Sequence, residues 1–357
     1  MNSDIQVNIP NKESHYSIHI NQEPIENLKN TILDFLGEQN YLVVISKKVY
    51  KLYGKSLNFD SNKILIINDG EKEKNIYNYL KIIDRLEKEN LTRKSYLIAI
   101  GGGVIGDMAG FAASTYRRGI GLIQVPTTLL SCVDSSVGGK VAINTKKSKN
   151  MVGSFYQPSA VFINLNFLNT LDEKQFKSGL GEVLKYAFIE KSCMNVIDYK
   201  FFDFLNVNAE KIIARDFNFL DKIIRISLAL KVAVVTKDEK ESGLRKILNF
   251  GHTYGHALEE ITDFSAFTHG EAVIYGMYFI FNYAHRLQLI DANYKEKAFS
   301  FIDKFGFKDK PNMFNKDKII KYMYSDKKVD NEKIKVIVPV APGFVKEMDF
   351  DSIKAFK

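Results

Sequence analysis

With 357 residues the chain exceeds what one hydrophobic core usually organises, so two domains are expected. An apolar fraction of 45% and a charged fraction of 26% exclude a disordered chain, and no apolar run is long enough to span a bilayer. The net charge of +8 raises nucleic acid as a partner, but the lysines are spread out and interleaved with Asp and Glu at 82–89 and 237–245. A solvated lysine-rich surface that attracts a small anionic substrate is the better reading.

Asp4, Gln6 and Asn8 interrupt the first ten residues, which lack the basic start and apolar centre of a secretory signal. Two cysteines, Cys132 and Cys193, make no disulfide framework, and a reducing cytoplasm fits.

Short apolar runs then predict strands at Tyr41–Ile45, Ile64–Ile67, Tyr96–Ile100, Leu122–Val125 and Val161–Ile163. Between the second and third, Ile76, Tyr79, Leu80, Ile83 and Leu86 recur at helical spacing. Alternating strands and helices indicate a Rossmann-like α/β domain with a mostly parallel sheet over residues 1–171. From Leu171 the pattern turns helical, and residues 172–357 are expected to form an all-α domain. Asp172-Glu173 offers an acidic helix start, and 196–235 and 272–289 are apolar at helical spacing. Ile334–Val338 reads as one late strand.

The strand at 96–100 runs into Gly101-Gly102-Gly103-Val104-Ile105-Gly106-Asp107, with glycines at 101, 103 and 106 in the spacing G-x-G-x-x-G. Such a loop lets the backbone approach a pyrophosphate, and the helix N-terminus offers it free N–H groups. A purely structural turn is the alternative. The loop follows the third expected strand rather than the first, and no acid stands about twenty residues on, where Pro126-Thr127-Thr128 lies. Any dinucleotide here binds in a non-standard manner, with Asp69-Gly70-Glu71 the better candidate for its ribose hydroxyls. A plain Asp-Gly turn into a helix is the alternative there.

In Asp134-Ser135-Ser136-Val137-Gly138-Gly139-Lys140, Lys140 sits among glycines and apolar residues, where a lysine can act as a point charge on a phosphate. Lys146 and Lys147 read as solvated. Glu182 and Lys185 are three apart on an apolar helix and share a face, as a surface ion pair would. His252 and His256 are four apart, so a helix would put both on one side, and His269 could return to them from the next helix. Imidazole is the commonest metal ligand, and Glu182 could complete a two-histidine, one-carboxylate site. From spacing alone, a metal site and a packed turn between helices both remain open.

Taken together, GGGVIGDMAGFAASTYRRGI (101–120), QVPTTLLSCVDSSVGGKVAIN (124–144), GLGEVLKYAFI (179–189), DEKESGLRKILNFGHTYGHALE (238–259), HGEAV (269–273) and Asp326-Lys327-Lys328 resemble the 3-dehydroquinate synthase family. The resemblance runs from about residue 40 to about 340. It implies conversion of 3-deoxy-D-arabino-heptulosonate 7-phosphate to 3-dehydroquinate and phosphate, in the shikimate route to aromatic compounds. The implied steps are a transient oxidation by NAD, loss of phosphate, return of the hydride, ring opening and aldol closure. An NAD-binding first domain, a helical metal- and substrate-binding second domain and a cytoplasmic homodimer are implied too, with neither nucleic acid nor membrane as partner.

Residue by residue, the resemblance puts a divalent metal, zinc or cobalt, on Glu182, His252 and His269. NAD falls to Asp69, Gly70, Glu71, Lys72, Lys74, Gly103, Val104, Ile105, Gly106, Asp107, Thr127, Thr128, Lys140, Lys149, Phe167 and Thr170. Lys140, Asn150, His256 and Arg118 match the surroundings of the substrate phosphate, with Arg118 reaching a neighbouring subunit's site, and Lys327 or Lys328 joins them. Lys231, Arg245 and Asn249 match carboxylate-binding positions, and Asp134 and Lys185 face substrate hydroxyls. His256 then leaves the metal to His252, against the simple spacing argument. Two departures stand out: Ser46 replaces an acid near the adenosine ribose, and Val329–Lys333 lacks the glycine expected after Asp-Lys-Lys.

Three other readings compete. A cyclase making 2-deoxy-scyllo-inosose from glucose 6-phosphate has no substrate carboxylate, so it has no use for Lys231, Arg245 and Asn249 together. A metal-dependent polyol dehydrogenase would release NADH and needs no phosphate cluster. A nucleic-acid binder would alternate its basic residues with exposed aromatics, which this chain does not do.

Overall fold

The computed structural model describes residues 4–8, 15–146, 148–193, 200–309, 315–325 and 334–356. Lys147, Lys327, Lys328 and the turn at 329–333 lie outside the described residues. The chain divides into two compact units, Met1–Leu171 and Asp172–Lys357.

Unit 1 runs β1 (Ile5–Asn8), β2 (His15–Asn21), α1 (Ile25–Leu36), β3 (Tyr41–Ser46), α2 (Lys47–Leu57), β4 (Ile64–Ile67), α3 (Ile76–Lys88), β5 (Tyr96–Gly101), α4 (Gly103–Thr115), β6 (Gly121–Pro126), β7 (Lys140–Ile143), β8 (Val152–Phe155) and β9 (Ala160–Asn164). Seven strands form one sheet in the order β1-β2-β9-β6-β5-β3-β4. Only β1 runs antiparallel to its neighbour. All five expected strands are present. The pair β1–β2, whose apolar residues alternate with polar ones, and the short β7–β8 hairpin lie outside the expected strands.

Side chains alternate across the sheet, as the period of a strand requires. Leu42, Val44, Leu97, Ala99 and Leu122 pack with α3 and α4 on one face. Tyr41, Val43, Ile45, Ile98, Ile100, Ile123 and Val125 pack with α1 and α2 on the other. With both faces covered, β3 is buried along its whole length, which explains its unbroken apolar sequence.

The strand order reverses beside β3, since β4 adds on one side of it and β5 on the other. Open parallel sheets bind ligands outside the carboxyl ends of the strands at such a reversal. The glycine loop leaves the end of β5 there. Its place in the spatial order, rather than its rank along the chain, puts it at the reversal.

Unit 2 runs α5 (Glu173–Ile189), α6 (Phe201–Val207), α7 (Ala209–Ile213), α8 (Phe217–Lys237), α9 (His252–Ile261), α10 (His269–Arg286), α11 (Ala292–Lys304), α12 (Lys316–Ser325), β10 (Lys335–Ala341), β11 (Phe344–Asp349) and α13 (Ser352–Ala355). The late strand has a partner, so the helical unit carries one antiparallel hairpin. Asp172 caps α5 by accepting from the Gln175 N–H at 2.9 Å, as its acidic start suggested. Phe188 packs against Phe250, Phe281 and Phe301 with ring centroids 5.0–6.1 Å apart, tying α5, α10 and α11 together. Among the described residues no helix is long and apolar enough to cross a membrane.

Candidate functional site

In unit 1 the N-terminus of α4 carries Gly102 at its cap position, where no side chain accepts a hydrogen bond. The first N–H groups of a helix have no intrahelical acceptor, and their partial positive charge suits an anion. Gly103, Val104 and Asp107 are half-buried in this first turn, whereas the Ile105 side chain points into the core, so only its backbone faces the loop. Thr127 secures the loop by donating its N–H to the Gly101 carbonyl at 3.0 Å. Thr128 bonds Ser131 through their hydroxyls at 2.8 Å.

A polar network adjoins α4. The Lys74 ammonium pairs with Asp107 and donates to Asn150 Oδ1. Asn150 donates its N–H to Asn144 Oδ1 at 3.0 Å, and Asn144 donates to Glu71 Oε1 at 2.7 Å. Burial pushes the Asp107 carboxyl above its ordinary range despite the lysine. The segment after β4, the start of α4 and the loop between β7 and β8 are thereby joined. Lys74, expected at a cofactor, thus contacts Asn150, expected at a phosphate, while Asp107 and Glu71 join the network through Lys74 and Asn144.

Asp69 is exposed and accepts from the Lys48 N–H at 2.9 Å, at the foot of α2. Gly70 has φ of 108°, which a side chain would disfavour, and exposed Lys72 follows it. Lys140 and Arg118 are exposed, Asp134 and Lys149 half-buried. Phe167 lies in the core, edge-on to Tyr53 at 5.1 Å, and the Thr170 hydroxyl bonds the Tyr53 hydroxyl at 2.7 Å. Ser46 is buried and caps α2 through the Val49 N–H at 3.2 Å, so the residue standing in place of an acid has a structural role here.

In unit 2 three helices bring Glu182, His252 and His269 together. Glu182 lies mid-helix in α5 and is wholly buried, while His252 and His269 are the first residues of α9 and α10. Close backbone approach makes this possible. A Cβ on Gly270 would stand 1.8 Å from the Ser178 carbonyl oxygen, and one on Gly276 would stand 1.8 Å from the Gly251 carbonyl oxygen. Only glycine allows α10 to lie this near α5 and the start of α9. The Gly270 N–H donates to Ser178 Oγ at 3.1 Å across the first contact.

Nε2 of His252 is 3.4 Å from Glu182 Oε1, and Nε2 of His269 is 3.5 Å from the same atom. Ligands held about 2.1 Å from a tetrahedral metal ion are separated by about 3.4 Å. Among the described residues neither Glu182 oxygen has a well-aligned hydrogen bond, though Oε2 is ion-paired with buried Lys185. A buried carboxylate with one oxygen neutralised by lysine and the other facing two imidazoles suits a divalent cation. Glu182 and Lys185 are therefore an interior pair rather than a surface one, in keeping with their apolar neighbours in sequence.

The outer nitrogens complete the pattern. His252 Nδ1 donates to the Phe250 carbonyl at 3.1 Å, which leaves its Nε2 lone pair facing Glu182. His269 Nδ1 lies 3.2 Å from Glu259 Oε2. Burial tends to raise the Glu182 pKa, but Lys185 and then His252 and His269 outweigh it and hold the carboxyl well below its usual range. Burial lowers His252 despite Glu182. For His269 burial is outweighed by the Glu182 and Glu259 carboxylates beside it, which push it up to about 10.

His256 does not join Glu182. Its ring is 5.4 Å from that of His252, and it falls in a second group of close donors with Glu259 and His269. Glu259, the last residue of the motif at 238–259, is a functional residue that the sequence reading assigns no role. Its signal was its place seven residues beyond His252, on the same face of α9.

Lys231 and Arg245 are buried. Arg245 stands at the end of a loop organised by Asp238, whose carboxylate accepts from the N–H groups of Ser242, Gly243 and Arg245 at 2.7–2.9 Å. These bonds outweigh partial burial and hold Asp238 down at about 2. The Arg245 guanidinium donates to the Glu239 carbonyl, and Asn249 donates to Glu241.

A doubly covered parallel sheet with a glycine loop at its reversal, followed in the chain by helices carrying a two-histidine, one-carboxylate cluster, is the build of the sugar-phosphate cyclases. A crystal structure of 2-deoxy-scyllo-inosose synthase, complexed with carbaglucose-6-phosphate, NAD+ and Co2+, superposes with a TM-score of 0.83 at 25% identity, covering 99% of this chain and 98% of that one. The 2-epi-5-epi-valiolone synthase of Streptomyces hygroscopicus, solved with NAD+ and Zn2+, shares the fold with a TM-score of 0.85 at 22% identity, covering 96% and 95%.

Residues 64–178 match the family model of the 3-dehydroquinate synthase N-terminal region, and residues 179–329 match that of its C-terminal region. The 3-dehydroquinate synthase of Alkaliphilus metalliredigens is 41% identical over 340 residues, 94% of this chain and 93% of that protein. The chain belongs to the 3-dehydroquinate synthase family.

Proposed function

We propose that this chain converts 3-deoxy-D-arabino-heptulosonate 7-phosphate to 3-dehydroquinate and phosphate, with NAD+ and one divalent metal ion, zinc or cobalt. Family membership supports the activity. The observation that carries the metal is the buried Glu182 carboxylate facing two imidazole Nε2 atoms at tetrahedral-edge distances. When bound, the metal supplies Lewis-acid polarisation of substrate oxygens and NAD+ a transient hydride acceptor.

The rest falls to the chain. Glu182, His252 and His269 would hold the metal, three protein ligands being the number that suits a catalytic rather than a structural ion. Lys185 neutralises the second Glu182 oxygen, so Oε1 is the oxygen that would be offered to the ion. The first turn of α4 receives the dinucleotide pyrophosphate, and Asp69 with Glu71 suits the ribose hydroxyls. Lys140, Asn150 and Arg118 take the substrate phosphate. Arg245, with Lys231 and Asn249, takes the carboxylate, since a planar donor fork matches it. His256 contacts a substrate hydroxyl or the phosphate and can pass a proton. Once the substrate ring opens, holding the open form in a reactive geometry favours aldol closure. The enzyme works as a cytoplasmic homodimer.

Purified protein incubated with the heptulosonate phosphate, NAD+ and Co2+ or Zn2+ tests this. Phosphate is expected to appear in equal amount with dehydroquinate while absorbance at the NADH band stays flat. NADH accumulating in step with product would replace the cyclase by a dehydrogenase.

A further inference from the structure

Glu259 is a buried carboxylate, its side chain 8% exposed, on the face of α9 that carries His252 and His256. Its Oε2 is 3.2 Å from Nδ1 of His269, the imidazole whose other nitrogen faces Glu182. We propose that Glu259 is the positioning residue for His269. It accepts the Nδ1 hydrogen bond, fixes the ring plane, and keeps Nε2 as the nitrogen that faces Glu182 Oε1 and would ligate the metal. This rests on the metal reading proposed above.

Metal-bound imidazoles commonly give their second N–H to a carboxylate or a backbone carbonyl, which orients the ring and makes the ligating nitrogen more basic. Here the two imidazoles receive different partners. His252 donates to the Phe250 carbonyl, a neutral acceptor fixed by the backbone. His269 has a charged acceptor, reached from another helix. The charge strengthens the Nε2 donor of His269 more than a carbonyl strengthens that of His252. It also ties the start of α10 to the last turn of α9, so the distance between the two imidazoles depends on Glu259. A rival chemistry exists, because His256, Glu259 and His269 themselves form a group of donor atoms within 4.8 Å of one another. In that case Glu259 would ligate a second ion, and His269 would bridge two ions through both nitrogens.

The test uses full-length protein stripped with a chelator and titrated with Co2+, followed by its visible absorption, and with Zn2+ in competition with a chromophoric chelator. The parent is expected to bind one ion per chain. Glu259→Ala is expected to bind one ion 10- to 100-fold more weakly, with a shifted cobalt spectrum. Glu259→Gln keeps an acceptor oxygen but loses the charge, and is expected to fall between Ala and parent. Thermal unfolding of the metal-free variants, checked alongside, separates this from loss of fold: Gln is expected to unfold at the parent temperature while still binding more weakly. Parental affinity and spectrum in Glu259→Ala would overturn the proposal. So would two ions per parent chain falling to one in that variant. A parent that binds no metal would remove the reading of the cluster itself, a failure visible before any variant is made.

Discussion

Gly270→Ala probes whether backbone contact between α5 and α10 sets the geometry of the cluster. A Cβ at this position would stand 1.8 Å from the Ser178 carbonyl oxygen, where contacts below 3.0 Å essentially do not occur. The two backbones must therefore separate by about 1.2 Å, the difference between those distances. Both are regular helix, so no flexible side chain can yield instead. Gly270 directly follows His269, and Ser178 is one turn before Glu182. Ligand distances in a working metal site stay within about 0.2 Å of their ideal values, so the forced movement is several times the tolerance. Overpacking of this kind destabilises by about 1–3 kcal/mol. For a cooperative unit of this size that corresponds to a fall of roughly 2–12 °C in melting temperature. The assay pairs calorimetry of the metal-free protein with cobalt titration. Metal affinity is expected to drop far more than the stability loss alone would produce. A variant with parental cobalt affinity and a melting temperature within a degree of the parent would refute the idea that this contact positions the ligands.

Three further outcomes are expected. Glu182→Ala, His252→Ala and His269→Ala each lose bound metal, whereas His256→Ala retains it and turns over poorly; metal analysis of the purified variants, with circular dichroism as the folding check, would reverse the ligand set if only His256→Ala lost metal. Arg245→Ala leaves a buried carboxylate without its partner, a loss of about 3–5 kcal/mol or roughly a hundred- to several-thousand-fold in kcat/KM, and normal kinetics with the heptulosonate phosphate would remove the carboxylate assignment. Asp238 is held at about 2 by three backbone N–H donors, below its unfolded value of about 3.9. Its contribution to loop order is therefore complete above pH 4 and lost as pH falls through 2. Amide shifts of Ser242, Gly243 and Arg245 should titrate together with a midpoint near 2, and a midpoint at 4 would mean that the clamp is not formed in solution.

The elements themselves were legible because their causes are local. A strand buried on both faces, such as Tyr41–Ser46, must be apolar throughout, and a helix entered from the end of a strand over three glycines can hardly be disguised. The motifs also carried the family, since many separated positions match at once. The β7–β8 hairpin and the N-terminal strand pair are short, four to seven residues each, too little for a periodic pattern to stand out. The position of the glycine loop was misleading for a different reason. Rank along the chain is a property of sequence, whereas the reversal of strand order beside β3 is a property of the assembled sheet.

The cluster in unit 2 shows the same division. Spacing placed His252 and His256 on one side of a helix, as the 3.6-residue period dictates, and could go no further. Which imidazole nitrogen faces Glu182, and which residue holds the other nitrogen, depends on how α5, α9 and α10 cross. Two glycines, with a carbonyl oxygen 1.8 Å from each missing Cβ, set those crossings. The i, i+3 spacing of Glu182 and Lys185 says nothing about burial, although their apolar neighbours and the two histidines already pointed Glu182 toward a metal. Packing removed that pair from water, left one carboxylate oxygen to the histidines, and made Glu259 the partner of His269. Local periodicity fixes which residues share a face of one helix; only packing between helices fixes which faces meet.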